Sequence, residues 1–298
     1  MGNFVDYLFF YDIFNLAKKI GGKLMNYRLI AIDMDGTLLS NRDKISERNR
    51  KALLDAMDNG IHIVLTTGRI YKSALYYYKQ IGLKSPIIAC NGAVIASSEG
   101  DIILEKFIED KVLEKIIDLA EENDMYYHFY DRDNFYYKTS REEFANYYGY
   151  YEKNYVKQDI KLVRFKNPWE IVDLSSSRYH KAVFIDDDPD RLLKFRRKLE
   201  AINGISVSKS WHNNIEVMNE EVSKGNAVRF LAELLNIDSS KVVAIGDNEN
   251  DVSMFKVAGL SIAMGNGDDI AKKQADVITD SNDEDGVAKA IEKYVLGK

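Results

Sequence analysis

The sequence predicts an α/β fold, a Rossmann-like parallel-sheet core with an inserted α+β cap domain, and three observations predict it. Short apolar runs alternate with amphipathic helical segments at both ends of the chain, the pattern of parallel strands covered on both faces. The middle carries pairs of alternating runs joined by turn residues, which is how hairpins read. The chain has 298 residues, 46% of them hydrophobic, enough apolar material for a large core.

The first 24 residues read differently from the rest. Their apolar stretch, residues 4–16, is broken by Asp6 and Asp12 and is too short and too charged to span a bilayer. No basic region precedes it, which argues against a secretory signal, and Asp6 stands where myristoylation needs Ser or Thr. Met25 lies just before the first apolar run, and Gly21-Gly22-Lys23 can be encoded by a purine-rich stretch of the kind that binds ribosomes. The expectation is that residues 1–24 are an N-terminal extension ahead of a natural start at Met25.

From there the elements alternate. Leu29-Ile30-Ala31-Ile32 ends at Asp33, and a helix follows from Ser46 with Ala52, Leu53, Ala56 and Met57 on one face and Gly60 as its stop. A strand over 61–65, a helix over 71–81 closed by Gly82, and a short run at 87–90 complete the first part. The alternation resumes with a strand at 242–245, a helix from about Asn250, a strand at 260–263, a helix over 268–274, a short run at 277–279 and a last helix to Tyr294. Between them, residues 126–130 pair with 135–138 and residues 205–210 with 215–218, with helices over 110–123 and 189–202 as cover. The domain expectation is a core of 25–92 and 219–298, interrupted by a cap of 93–218.

In parallel sheets chemistry collects at the carboxyl ends of the strands. Asp33-Met34-Asp35-Gly36-Thr37 follows the first strand, and strand alternation sends the Asp33 and Asp35 side chains the same way. Gly246-Asp247-Asn248-Glu249-Asn250-Asp251 follows another strand. A single Asp at such a junction is best read as a helix cap. Two matched clusters point instead to a hard divalent cation, most simply Mg2+, as the reason for gathering Asp33, Asp35, Asp247 and Asp251. Thr67-Gly68-Arg69 closes the second strand, placing a hydroxyl and backbone N–H groups at a helix start, where an anion binds. Lys224-Gly225 opens a further helix and adds a fixed positive charge.

These four segments, in this order, resemble the four motifs of the haloacid dehalogenase superfamily. The long insert and Asn91-Gly92-Ala93 are similar to its Cof-type, sugar-phosphatase-like branch. The resemblance runs from about Met25 to the C-terminus. It implies a magnesium-dependent phosphatase of small phosphorylated metabolites, with Asp33 as nucleophile and Asp35 as general acid and base. It implies Mg2+ on the Asp33 carboxylate, the Asp35 backbone carbonyl and Asp247. Phosphoryl oxygens would be held by Thr67, Lys224 and Asn250 with backbone N–H groups near Met34 and Gly68, while Asp251 orients Lys224 or a metal-bound water. Arg69 and Asn91, near the cap hinge, are the expected substrate contacts. A phosphomutase would share the aspartyl-phosphate but return the phosphoryl group, and a non-catalytic phospho-ligand sensor would keep the fold without turnover.

Other signals are weaker. Asp186-Asp187-Asp188 lacks a following Gly-Thr, and Asp188 before Pro189 reads as a helix cap. Cys90 lacks the arginine six residues on that a cysteine phosphatase needs; as the lone cysteine it also excludes a disulfide framework and a thiolate zinc site. Ala263-Met264-Gly265-Asn266-Gly267 hints at a dinucleotide loop but lacks the third glycine; in the family a similar loop borders the active site. Ten tyrosines between 126 and 155 read mainly as sheet packing, a few as partners for a sugar or heterocycle. With 47 acidic against 41 basic residues and a net charge of −6, no nucleic-acid partner is expected, no membrane is expected, and the single cysteine suits a reducing cytoplasm; the resemblance implies a small phosphate ester as partner. Oligomeric state is not legible in the chain.

Overall fold

The computed structural model describes residues 27–41, 43–138, 157–172 and 179–298. The expectation about residues 1–24 and the tyrosines from 147 to 155 lie outside the described residues.

The chain opens with β1 (Leu29–Ile32), every residue of which is buried. α1 (Glu47–Asp58) starts at Ser46, whose side chain accepts from the Asn49 N–H, and turns Ala52, Leu53 and Ala56 inward. β2 (His62–Leu65), α2 (Tyr71–Ile81) and β3 (Ile87–Ala89) follow, α2 ending at Gly82 with φ 88°. β4 (Val94–Ala96) and β5 (Ile102–Glu105) come next. The insert then supplies α3 (Asp110–Glu122), β6 (Tyr126–Tyr130), β7 (Asn134–Lys138), β8 (Lys161–Phe165), α4 (Trp169–Val172), β9 (Lys181–Ile185), α5 (Pro189–Leu199), β10 (Ile205–Ser208) and β11 (Asn214–Asn219). The chain returns through α6 (Lys224–Leu234), β12 (Val242–Gly246), α7 (Val252–Phe255), β13 (Leu260–Ala263), α8 (Asp269–Gln274), β14 (Val277–Ile278) and α9 (Gly286–Ala290), which runs on as a wider turn over Ile291–Leu296.

The core sheet has the order β14-β13-β12-β1-β2, all parallel. Alternation along its strands divides the core into two layers. Ile30, Ile32, Ile63 and Leu65 meet Leu53, Ala74, Tyr78 and Val287 on one face. Leu29, Ala31, Val64 and Ala244 meet Val228, Leu231 and Met254 on the other. β3 joins the sheet edge through a Thr66–Ile88 bridge, and β3, β4 and β5 form an antiparallel sheet of their own. Val94 and Ala96 of that sheet lie in one core layer and Ile95 in the other. The hairpin at 94–105, which a boundary at 93 assigns to the insert, therefore packs with the core.

The insert folds as a six-stranded sheet, β10-β11-β9-β6-β7-β8, antiparallel except for β7 and β8. The two hairpins read from the alternation, β6 with β7 and β10 with β11, both form. β8 and β9 are strands that the sequence reading leaves unassigned. α3 and α5 cover one face, over Tyr127, Phe129, Phe184 and Val217. The opposite face, with Tyr126, Tyr130, Phe135, Val183 and Ile185, packs against Ile70 of the core. Where the chain enters and leaves the insert, the two crossings are fastened together: Asn219 Nδ2 donates to Phe107 O at 3.0 Å and Lys106 pairs with Glu221 at 2.5 Å. Among the described residues, no helix is long and apolar enough to cross a membrane.

Candidate active site

β1 lies between β2 and β12, so the residues that follow these three strands meet at one edge of the sheet. Asp33, Thr67 and Asp247 are each 6% exposed or less. Thr37 Oγ1 donates to Asp247 Oδ1 at 2.6 Å, tying the loop after β1 to the loop after β12. Gly36, with φ 76°, makes room for this: a Cβ there would lie 2.4 Å from Asp247 Oδ2. The loop after β13 closes the same edge, with Asn266 Nδ2 donating to Gly36 O at 2.8 Å.

Lys224 is placed by the start of α6, where Ser223 caps the helix. Its ammonium is 1% exposed and donates to Asp33 Oδ1 at 2.5 Å and to Asp251 Oδ1 at 2.6 Å. The other Asp251 oxygen accepts the N–H groups of Asp247 at 2.8 Å and Asn248 at 3.0 Å. Both Asp251 oxygens are thus engaged, one with Lys224 and one with the backbone that carries Asp247.

Carboxylate oxygens of Asp33, Asp247 and Asp251 lie within 4.8 Å of one another. Burial pushes Asp33 up to about 7, against the pull of Lys224. Burial, followed by the charges of Asp33 and Asp251, pushes Asp247 well above the usual carboxylate range. Burial disfavours the Lys224 ammonium, but Asp251 and Asp33 outweigh it and raise its pKa. Three buried carboxylates facing one ammonium leave uncompensated negative charge among hard oxygen donors, which fits a divalent cation. Asp251 already accepts from the Lys224 cation and two backbone N–H groups, whereas Asp247 accepts only from the neutral side chains of Thr37 and Asn248, the latter at 2.7 Å, so Asp33 and Asp247 are the carboxylates better suited to hold one.

β1 ends at Ile32 and the chain turns, with Thr37 N–H donating to Met34 O and Leu38 N–H to Asp33 O, so a turn rather than a strand places Asp35, whose charge still acts on Asp33. The half-exposed Asp35 carboxylate meets Arg69 in a two-pronged pair, at 2.7 Å from Nε and 2.5 Å from Nη2. Burial works to raise Asp35, and Arg69 outweighs it, so the group lies below its ordinary value. Arg69 also reaches Asp43 at 3.3 Å and stacks over the Tyr77 ring at 5.0 Å, so its guanidinium is engaged within the core. The Arg69 N–H donates to Thr67 Oγ1 at 3.1 Å, fixing that hydroxyl.

Asn91 follows β3 in a left-handed stretch, Cys90, Asn91 and Gly92 having φ of 48°, 57° and 103°. A Cβ on Gly92 would lie 2.6 Å from Ser223 O, so the loop packs directly against the start of α6. Asn91 accepts from Asn250 Nδ2 at 3.2 Å, across 159 residues, and leaves Asn250 Oδ1 buried with no partner among the described residues. Asn91 Nδ2 donates to Glu216 Oε2 at 2.6 Å. Glu216 is a residue that the sequence reading misses, as is Lys181, which donates to Gly68 O at 2.6 Å and to Glu216 Oε1 at 2.7 Å. The signal available was a charge set into each of two apolar strands of the insert. Cys90 is fully buried with its thiol pushed up to about 12 by burial, which removes it as a nucleophile.

A family model described as haloacid dehalogenase-like hydrolase matches residues 30–291. The 5-amino-6-(5-phospho-D-ribitylamino)uracil phosphatase of Bacillus subtilis is 33% identical over 272 residues, covering 91% of this chain and 97% of its own. The pyridoxal phosphate phosphatase of Escherichia coli is 27% identical over 274 residues, covering 91% and 100%. Among solved structures, a haloacid dehalogenase-like hydrolase from B. subtilis superposes with a TM-score of 0.81 at 28% identity, covering 89% of this chain and 99% of that one.

Proposed function

Since the chain belongs to the haloacid dehalogenase-like hydrolases, in their Cof-type branch of phosphoester hydrolases, we propose that it releases phosphate from small phosphorylated metabolites through an aspartyl-phosphate on Asp33, with Mg2+ as cofactor. The observation that carries this reading is the joint placement of Asp33 and Asp247 at neighbouring strand ends, with Lys224 between Asp33 and Asp251.

Asp33 attacks phosphorus in line, forming its own O–P bond as the ester P–O bond breaks. Asp35 gives its proton to the leaving oxygen, then takes one from the water that attacks the aspartyl-phosphate, freeing phosphate and restoring Asp33. Arg69 holds Asp35 ionised, so the acid role requires that pair to open before the first step. Lys224, the Thr67 hydroxyl and the N–H groups of Met34 and Gly68 take the charge on the phosphoryl oxygens. Asp251, which accepts from Lys224 and from two backbone N–H groups, fixes the Lys224 ammonium. Asp33, the Asp35 backbone carbonyl and Asp247 would hold Mg2+, which supplies neutralising charge between nucleophile and phosphate.

Two relatives are named for small phosphorylated molecules, a ribitylaminouracil phosphate and pyridoxal phosphate, which supports a small-molecule substrate here. The test is phosphate release across sugar phosphates, nucleotides, flavin mononucleotide, pyridoxal phosphate and the ribitylaminouracil phosphate, with and without Mg2+. Asp33→Asn is expected to lose about 10⁴-fold or more in turnover while keeping its fold. Near-normal turnover by that variant refutes the nucleophile assignment, and isomerised phosphosugar in place of free phosphate points to a mutase.

A further inference from the structure

Lys181 and Glu216 stand out within the insert because both side chains are 3% exposed, yet they point away from its own hydrophobic core. They lie on the sheet face that looks toward the parallel-sheet core, with the Lys181 ammonium 4.9 Å from the centre of the Tyr130 ring. A buried ion pair adds little net stability over apolar residues of similar volume. Stability alone therefore gives no reason for a pair at this place.

Their remaining hydrogen bonds leave the insert. Lys181 Nζ donates to Gly68 O at 2.6 Å, and Glu216 Oε2 accepts from Asn91 Nδ2 at 2.6 Å. Asn91 in turn accepts from Asn250 Nδ2 at 3.2 Å. One buried pair thus reaches three separate core loops: after β2, after β3 and after β12. Asn91 is held at a left-handed φ of 57°, a conformation that a non-glycine residue keeps only where its surroundings impose it. Gly68 is enclosed by the same groups, since a Cβ there would lie 3.0 Å from Asn91 Oδ1 and 3.3 Å from Lys181 Nζ. A second tie from the insert reaches the loop of Asn250, Arg196 meeting Glu249 at 2.6 Å.

We propose that Lys181 and Glu216 are positioning residues for the phosphoryl site: from the insert they hold the Gly68 carbonyl and the Asn91–Asn250 pair, so the core's phosphate loops reach working geometry only with the insert seated. The inference rests on the phosphatase reading above. Displacing such loops by about 1 Å costs about 10²-fold in rate, and the effect falls on turnover.

The experiment compares wild type, Lys181→Met/Glu216→Leu and Glu216→Gln in steady-state release of phosphate from p-nitrophenyl phosphate with Mg2+, alongside Tm. The double variant is expected to stay folded with a Tm near or somewhat below that of wild type, because the apolar pair removes two buried charges but leaves Gly68 O and Asn91 Nδ2 without these partners, yet to lose about 10²-fold in kcat with KM changed by about threefold or less. A folded double variant with kcat within about threefold of wild type overturns the proposal, since a purely structural pair predicts that result. If the double variant does not fold, Glu216→Gln is read by the same criterion. If wild type itself releases no phosphate, the phosphatase reading fails separately, and the variants are read by the rise in Tm on adding inorganic phosphate with Mg2+. A rise in wild type that Glu216→Gln lacks supports positioning; equal rises in both overturn it.

Discussion

Asp35 and Arg69 form a two-pronged ion pair, Nε to Oδ2 at 2.7 Å and Nη2 to Oδ1 at 2.5 Å, across 34 residues of chain. The pair joins the loop after β1 to the start of α2, and Arg69 keeps Asp35 below its ordinary pKa. A carboxyl that must give up a proton is thus stored without one.

Arg69→Ala frees the half-exposed Asp35 from the cation that holds it ionised. With that charge gone Asp35 rises and keeps its proton to higher pH. The alkaline limb of the kcat/KM profile is expected to move to higher pH. A profile unchanged from wild type would show that Asp35 is not the titrating acid.

Metal-free protein is expected to lose stability as pH rises. Asp33 has an ordinary value of 3.8 and is pushed up to about 7 in the fold, so folding takes up a proton between these limits. The contribution is therefore full below about pH 4 and is lost as pH climbs through about 7. Asp247, also raised, acts in the same direction. Thermal melts in chelator should show Tm falling between about pH 5 and pH 8, and Mg2+ should restore more at the upper end. A Tm that climbs with pH in chelator contradicts this.

Gly36→Ala places a methyl group 2.4 Å from Asp247 Oδ2, at a φ of 76° that costs a side-chain-bearing residue about 1–2 kcal/mol. Asp247 must move, and the Thr37–Asp247 bond moves with it. The expected outcome is a lower Tm together with a higher Mg2+ concentration for half-maximal activity. Loss of Tm with an unchanged Mg2+ requirement would show that Asp247 keeps its place.

The two acidic clusters were legible because each directly follows an apolar strand, and neighbouring parallel strands bring such ends together by topology alone. Lys224 was legible by motif, and its contact with Asp251 follows from where α6 starts. The pair of Asp35 with Arg69 was not, because the strand stops at Ile32 and alternation says nothing about partners in the turn beyond it. Lys181 and Glu216 show locally only as a charge within an apolar run, and their partners lie 113 and 125 residues away in loops of the core, which no local pattern announces. β8 escaped because it pairs in parallel with β7, and no hairpin turn marks it. β4 and β5 fall after the boundary at 93, yet Val94, Ile95 and Ala96 pack in the core layers.

The insert leaves the core and returns to it through two crossings fastened side by side, Asn219 to Phe107 and Lys106 to Glu221. For the core, more than a hundred intervening residues therefore amount to a loop whose two feet share one footprint. The entropy of closing such a loop grows only with the logarithm of its length. The parallel-sheet unit is thus nearly indifferent to the size of what it carries there. In closure entropy the length of the segment matters little so long as its feet remain adjacent, whereas the contacts of Lys181, Glu216 and Arg196 with the core loops depend on what the segment carries.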